Sequence, residues 1–193
     1  MPRALLLIAL LLLLPPAAAH ADEALWALLK QGGQVVLIRH AATDPGVGDP
    51  PGFSLGDCKT QRNLSAAGRK EAQRLGSAFR ARAIPVGRVL SSPWCRCVET
   101  AKLAFGGSQT DRALDNLFGR GDNRERQLAA FRRLVAAAPK EGNLILVTHG
   151  STTLAFTGVS PGTAELVIVT PEGGGTGGTG GTFRFAGRIA IAD

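Results

Sequence analysis

Two short apolar runs, each ending at a histidine, constrain this chain more than any other feature. Residues 35–38 read Val-Val-Leu-Ile and lead into Arg39-His40. Residues 144–147 read Leu-Ile-Leu-Val and lead into Thr148-His149-Gly150. Four consecutive aliphatic residues bounded by glycine and polar positions suggest a strand buried on both faces, as in a parallel sheet covered by helices. Ligands of open parallel sheets gather beyond the carboxyl ends of the strands. Both histidines therefore fall where such a sheet places its site.

The rest of the chain agrees with that frame. A helix is predicted over 23–30, carrying Leu25, Trp26, Leu28 and Leu29 and ended by Gly32-Gly33. Residues 41–63 are rich in Pro, Gly and Asp and read as a loop. Ser65 is placed as the N-cap of a helix with Ala67, Ala72, Leu75, Ala78 and Phe79 at helical spacing, closed off by Pro85. Val89-Leu90 reads as a second strand, and Pro93 is placed to start a helix reaching about Ala104. Residues 106–122 look irregular. A helix over 124–138 puts Leu128, Phe131, Leu134 and Val135 on one face, and another begins over 151–156. Residues 166–169, 183–185 and 189–191 read as strands closing the C-terminal side.

Strand and helix alternate, which predicts an α/β fold: a three-layer α/β/α sandwich around a mainly parallel sheet. With 193 residues, 45% hydrophobic and 19% charged, the chain suits one domain with a real core, expected over 22–193. The 172–181 segment is nearly all Gly and Thr and reads as a flexible surface loop. A phosphate-cradling glycine loop feeds a helix start with Lys and Ser/Thr, whereas this one joins strand to strand.

The first 21 residues read as a secretory leader. Arg3 supplies a positive start, residues 5–14 are continuously apolar, and Ala19-His20-Ala21 forms an A-x-A cleavage site. The apolar run is about half the roughly 20 residues a spanning helix needs, so no stable membrane insertion is expected after its removal. The expected localisation is periplasmic or secreted. Loss of Arg3 leaves 21 basic against 15 acidic residues, a net charge of +6, which favours anionic partners. Aromatics make up 5% and Tyr is absent, too little for a nucleic-acid stacking surface, so a small phosphorylated partner fits better and no nucleic acid is expected. Of the three cysteines, Cys95 and Cys97 stand too close to pair readily with each other. An exported chain permits a bridge from Cys58 to either one.

Four ordered segments carry a resemblance. Leu37-Ile38-Arg39-His40-Ala41-Ala42-Thr43 is similar to the signature strand and loop of the phosphoglycerate-mutase-like (histidine phosphatase) superfamily. Leu64-Ser65-x-x-Gly68 resembles the start of its next helix, and Ser91-Ser92-Pro93-x-x-Arg96-x-x-Glu99-Thr100-Ala101 its second arginine segment. Val147-Thr148-His149-Gly150 resembles its second histidine segment, and the likeness spans roughly residues 34–158. The resemblance implies a phosphoglycerate-mutase-like fold and a phosphatase that hydrolyses a phosphate monoester through a phosphohistidine on His40. In that scheme Arg39 and Arg96 grip the phosphoryl oxygens, and His149 donates to the charge spreading in the transition state. Thr43 and Arg62 are further substrate-binding candidates, Arg62 for a second anionic group. The leaving alkoxide needs a proton. The family's acid falls between the second arginine and second histidine, which points first to Asp115 and then to Glu165, although some relatives lack the acid.

The chain also departs from the family pattern. Ala41 stands where glycine is commoner, and the absence of Tyr excludes the mutase-type substrate segment, favouring hydrolysis. Two alternatives remain: a phosphohistidine-protein phosphatase, and a non-catalytic anion-binding envelope protein. Phosphates on envelope glycans are a substrate class implied by exported relatives. Two histidines without a fixed third ligand do not make a zinc centre, so neither metal nor cofactor is expected.

Overall fold

The computed structural model describes residues 17–46, 48–118, 123–137, 141–172 and 182–191. Its strands are β1 (Val35–Arg39), β2 (Val86–Ser91), β3 (Gln109–Thr110), β4 (Asn143–Thr148), β5 (Leu166–Glu172) and β6 (Thr182–Ile189). Its helices are α1 (Ala17–Gln31), α2 (Ala66–Ala81), α3 (Cys95–Phe105), α4 (Arg124–Ala136) and α5 (Gly150–Thr157). Short 3-10 turns lie at Cys58–Thr60 and Arg112–Leu114. The strands form one sheet in the order β3-β2-β4-β1-β5-β6. The β2–β3, β2–β4 and β1–β4 pairs are parallel, whereas β1–β5 and β5–β6 are antiparallel. The fold is the expected three-layer α/β architecture.

Alternation along the central strands builds two cores. Val36 and Ile38 of β1, Ile145 and Val147 of β4, and Leu166 and Ile168 of β5 pack toward Trp26, Leu29, Leu75, Phe79, Cys97 and Ala101 of α1, α2 and α3. The intervening residues Val35, Leu37, Leu144, Leu146, Val167 and Val169 pack the other way, with Phe131 and Val135 of α4 and Phe156 of α5. Both faces are covered, which is why these strands read as unbroken apolar runs.

Several boundaries differ from expectation. The strands expected at 183–185 and 189–191 are one strand, β6, ending at Ile189. A register shift lets Ile168 face Gly187 while Val169 faces Phe185, so a bulge absorbs the apparent break. β3 and a 3-10 turn occupy the stretch expected to be irregular. Residues 1–16, within the expected leader, and the glycine-rich residues 173–181 lie outside the described residues, and α1 begins at Ala17, ahead of the expected cut. Among the described residues no helix is long and apolar enough to cross a membrane.

Helix α2 starts hard against the backbone that follows His40. Ser65 caps it by accepting from Gly68 N at 3.0 Å, and Ser65 N donates to Ala42 O at 3.0 Å. A Cβ at Gly68 would lie 1.9 Å from Ala42 O, inside the backbone itself. Gly68→Ala therefore shifts either the helix or the loop. It is expected to cost about 1–3 kcal/mol, the usual penalty of overpacking, measured by urea unfolding. A neutral result would mean that this contact is looser than the structure has it.

Candidate active site

The sheet register assembles the site. Arg39 of β1 pairs with Thr148 of β4, so the residues that follow them, His40 and His149, emerge side by side. His40 N donates to Thr148 O at 2.9 Å, and the two ring centroids lie 5.4 Å apart. On the other side of β4, Ser91 pairs with Val147 and Ser92 N donates to Val147 O at 2.9 Å. Three strand ends thus bring together residues that are up to 109 positions apart in the chain, the same span that separates Gln34 from Asn143 at the opposite end of the pair. Beyond them opens a cleft of about 500 Å³ bordered by Arg39, His40, Asp49, Arg62, Arg96 and His149.

The hydrogen bonds define the imidazole tautomers. His40 Nδ1 lies 2.9 Å from Ala41 O, and a carbonyl only accepts, so Nδ1 carries the proton and Nε2 the lone pair. Burial, reinforced by the charges of Arg96, Arg39 and Arg62 and opposed by the Ala41 bond, lowers the His40 pKa to about 3. His149 Nε2 lies 3.0 Å from Ser92 Oγ, and Ser92 Oγ donates to Asp115 Oδ1 at 3.4 Å. With its proton so directed, Ser92 accepts from His149 Nε2. Burial, then the charge of His40 and of the arginines, holds His149 well below the usual imidazole range. Cys97 Sγ lies 3.6 Å from His149 Nε2, and burial pushes that thiol up to about 12, so it borders the ring as a neutral group.

Arg96 is wholly buried, with its guanidinium 4.4 Å over the Trp94 ring. Its Nη1 donates to Asp49 Oδ1 and Oδ2 at 2.9 and 3.2 Å and to Arg62 O at 3.4 Å. Arg39 Nη1 donates to Pro161 O at 3.0 Å. Its side chain lies over Gly150, where a Cβ would come within 3.4 Å of Arg39 Cδ and Nε. Burial and the neighbouring Arg96 charge lower the pKa of Arg62. The loop bearing Asp49 and Arg62 is tied to the start of α3 by the Cys58–Cys95 disulfide and by Cys95 N donating to Gln61 Oε1 at 3.0 Å. Cys97 is the free, buried cysteine.

Ala41 fits where glycine was commoner. It is fully buried, its N–H donates to Thr100 Oγ1 at 3.0 Å, and Thr100 Oγ1 donates to Arg96 O at 2.7 Å. The next amide, Ala42 N, donates to Glu71 Oε2 at 2.7 Å.

Three expected site residues stand outside the cleft. Thr43 does not border it; its backbone bridges to Leu64 instead. Asp115 is buried behind Ser92 and His149, and its backbone carbonyl accepts from Thr152 Oγ1 at 2.7 Å. Glu165 is buried too, paired with Arg188 and accepting from Gly162 N at 2.5 Å. Neither carboxylate borders the cleft. Asp49 and Ser92 were not singled out from the sequence. Ser92 lay inside a quoted motif without a role, and Asp49 lay in a loop with no periodicity to mark it.

The histidine phosphatase superfamily (branch 1) model matches residues 35–118. Residues 35–118 are thus similar to the histidine phosphatase superfamily. The matched stretch ends before His149, which the sheet register supplies. The fold is similar to that of a mycobacterial hydrolase (17% identity, 80% of this chain and 97% of that one, TM-score 0.58). It is also similar to a mycobacterial glucosyl-3-phosphoglycerate phosphatase in complex with VO3 (18%, 80% and 97%, TM-score 0.56). A third likeness is to the protein histidine phosphatase SixA complexed with tungstate (16%, 82% and 97%, TM-score 0.52). No curated protein matches the chain in sequence.

The depressed imidazole pKa has a stability consequence. Between about pH 6.5 and about 3 the unfolded chain protonates His40 and the folded chain does not, so stability falls as pH drops through that window. His40→Asn removes this contribution. Thermal melts from pH 7 to pH 4 are expected to show a smaller loss of Tm in the variant than in the parent. Parallel losses would contradict the burial of a neutral ring.

Proposed function

We propose that the protein hydrolyses a small phosphate monoester in two steps through a phosphohistidine on Nε2 of His40. The observation that carries this reading is the His40 Nδ1 bond to Ala41 O, which leaves an unprotonated Nε2 on a ring that burial keeps neutral. A neutral nucleophile meets less repulsion from a dianionic ester than a carboxylate or thiolate would. In the first step Nε2 forms a bond to phosphorus, the ester P–O bond breaks, and the alkoxide leaves with a proton taken from water in the cleft. In the second step water attacks phosphorus, the N–P bond breaks, inorganic phosphate departs and Nε2 regains its lone pair. Arg39 and Arg96 hold the equatorial oxygens and Arg62 adds positive charge at the cleft wall, while an arriving phosphate dianion favours a second proton on Nδ1 of His149, which then donates to the transition state. Asp115 then acts through Ser92 on the orientation of His149 rather than on the leaving group.

Two observations support a sugar-like leaving group, with envelope glycan phosphates as the substrate class. Phe118 and Leu154 border the cleft yet are 83% and 47% exposed, an apolar lip suited to the face of a ring. One similar fold belongs to a glucosyl-3-phosphoglycerate phosphatase. Export to the periplasm or beyond is part of the same proposal. It is supported by the leader-like first 21 residues and by the Cys58–Cys95 disulfide, a bond favoured in oxidising compartments.

The test is a screen of phosphorylated metabolites and glycans on the exported protein, with acid-labile phosphoenzyme trapping in parallel. His40→Ala is expected to abolish both turnover and trapped phosphate, and His149→Ala to lower kcat by roughly 10²–10³-fold, the usual loss of one transition-state donor. Normal turnover by His40→Ala would end this reading. Phe118→Ala is expected to lower kcat/KM for a sugar phosphate by roughly tenfold and leave glycerol phosphate unchanged, the worth of one aromatic contact. Intact mass of the exported chain is expected to correspond to an N-terminus at Asp22.

A further inference from the structure

Arg96 is held by one corner of its fork and open on the other. Nη1 is fully engaged by the Asp49 carboxylate and the Arg62 carbonyl. Nε is buried and finds no partner among the described residues, and Nη2 bonds to none of them. A buried N–H left without an acceptor is costly, and a guanidinium edge matches two oxygens of a phosphoryl group side-on. Asp49 also accepts from Arg62 N at 3.0 Å, so one carboxylate sets both the guanidinium of Arg96 and the backbone of Arg62. Both Arg96 and Asp49 border the cleft, and among the charges acting on the His40 ring that of Arg96 is the largest.

We infer that Asp49 is a positioning residue for the phosphoryl group: by occupying Nη1 it turns the Nε–Nη2 edge of Arg96 toward the phosphoryl oxygens. This inference deepens the phosphatase reading and rests on it for the identity of the anion. Two other roles make opposite predictions. A placeholder that substrate must displace would hold Arg96 only while the cleft is empty. A proton donor would act on the leaving group and not on the phosphoryl oxygens. Asp49 has the location for each, so the variants must separate them.

The experiment uses the full exported chain with Asp49→Asn, Asp49→Ala and Asp49→Glu. Inorganic phosphate affinity is measured by calorimetry, vanadate inhibition is measured during turnover, and kcat/KM is followed across aryl phosphates of rising leaving-group pKa and one alkyl phosphate. The expected result for Asp49→Asn is roughly tenfold or more weaker phosphate and vanadate binding, the loss of one charge-assisted anchor. The same factor is expected in kcat/KM along the whole series, with the fold and the Cys58–Cys95 bond retained, Tm lowered by the loss of the buried ion pair, and Asp49→Glu recovering part of the loss. Tighter phosphate binding or a lower KM in Asp49→Asn would overturn the inference in favour of a placeholder. A loss growing steeply with leaving-group pKa would overturn it in favour of a proton donor, and unchanged affinity would overturn it outright. Failure of the catalytic reading shows elsewhere, as turnover surviving in His40→Ala, while the calorimetric arm still reads Asp49.

Discussion

Everything in the cleft depends on the register of β1 against β4. Side chains alternate along a strand, so a slip of one residue would turn His40 away from His149 and send Val36 and Ile38 into the wrong core. The pairing is protected because it is written twice, in the alternating apolar residues on both faces and in the buried Asn143. That side chain accepts from Gln34 N and donates to Leu29 O and Pro85 O, pinning the far end of the strand pair where no chemistry occurs. Packing at one end of β1 and β4 thereby fixes His40 at the other.

The site works against its own fold. It places two imidazoles and a guanidinium in nearly dry surroundings, and the charges that suit a phosphate repel one another without it. The molecule offsets this in two ways. The imidazoles remain neutral, since burial removes the incentive to protonate. Arg96 acquires a carboxylate, an aromatic face and a backbone carbonyl. The same desolvation that makes these groups expensive would strengthen their hold on the phosphoryl group proposed to bind there.

The sheet and the two histidines were legible in the sequence because both follow from local rules: an apolar run marks a buried strand, and a strand end marks a site. Arg96 was legible only through the resemblance of residues 91–101 to the family's second arginine segment. What escaped was set by contacts with no local signature. Asp115 had the right position in the chain for an acid, yet the 3-10 turn at Arg112–Leu114 carries it behind Ser92, a geometry that no residue spacing announces. Thr43 followed the signature segment but spends its backbone on pairing with Leu64. Asp49 sits among prolines and glycines, and only the folded loop reveals that its carboxylate meets a guanidinium 47 residues away. The alternative cysteine pairings were resolved by the same loop, because Cys95 faces it at the helix start whereas Cys97 points into the core beside His149.

That loop does for the cleft wall what the register does for the floor. Among the described residues it is held by isolated bridges at Thr43–Leu64 and Ser54–Asp57 and by turns such as Asp57 capping Lys59 N and Thr60 Oγ1 accepting from Ser54 N. A covalent tie supplies the missing order. The disulfide closes a separation of 37 residues, which in a chain-entropy account is worth about 4 kcal/mol against the unfolded state. Its position matters more than its strength: one sulfur is on the residue just before Arg96, and the other is four residues before Arg62. The bond thus couples the guanidinium that rises from α3 to the segment that supplies its partner Asp49. The geometry of the wall formed by Arg96 and Asp49 is therefore tied to this disulfide, whereas the histidines are held by the sheet.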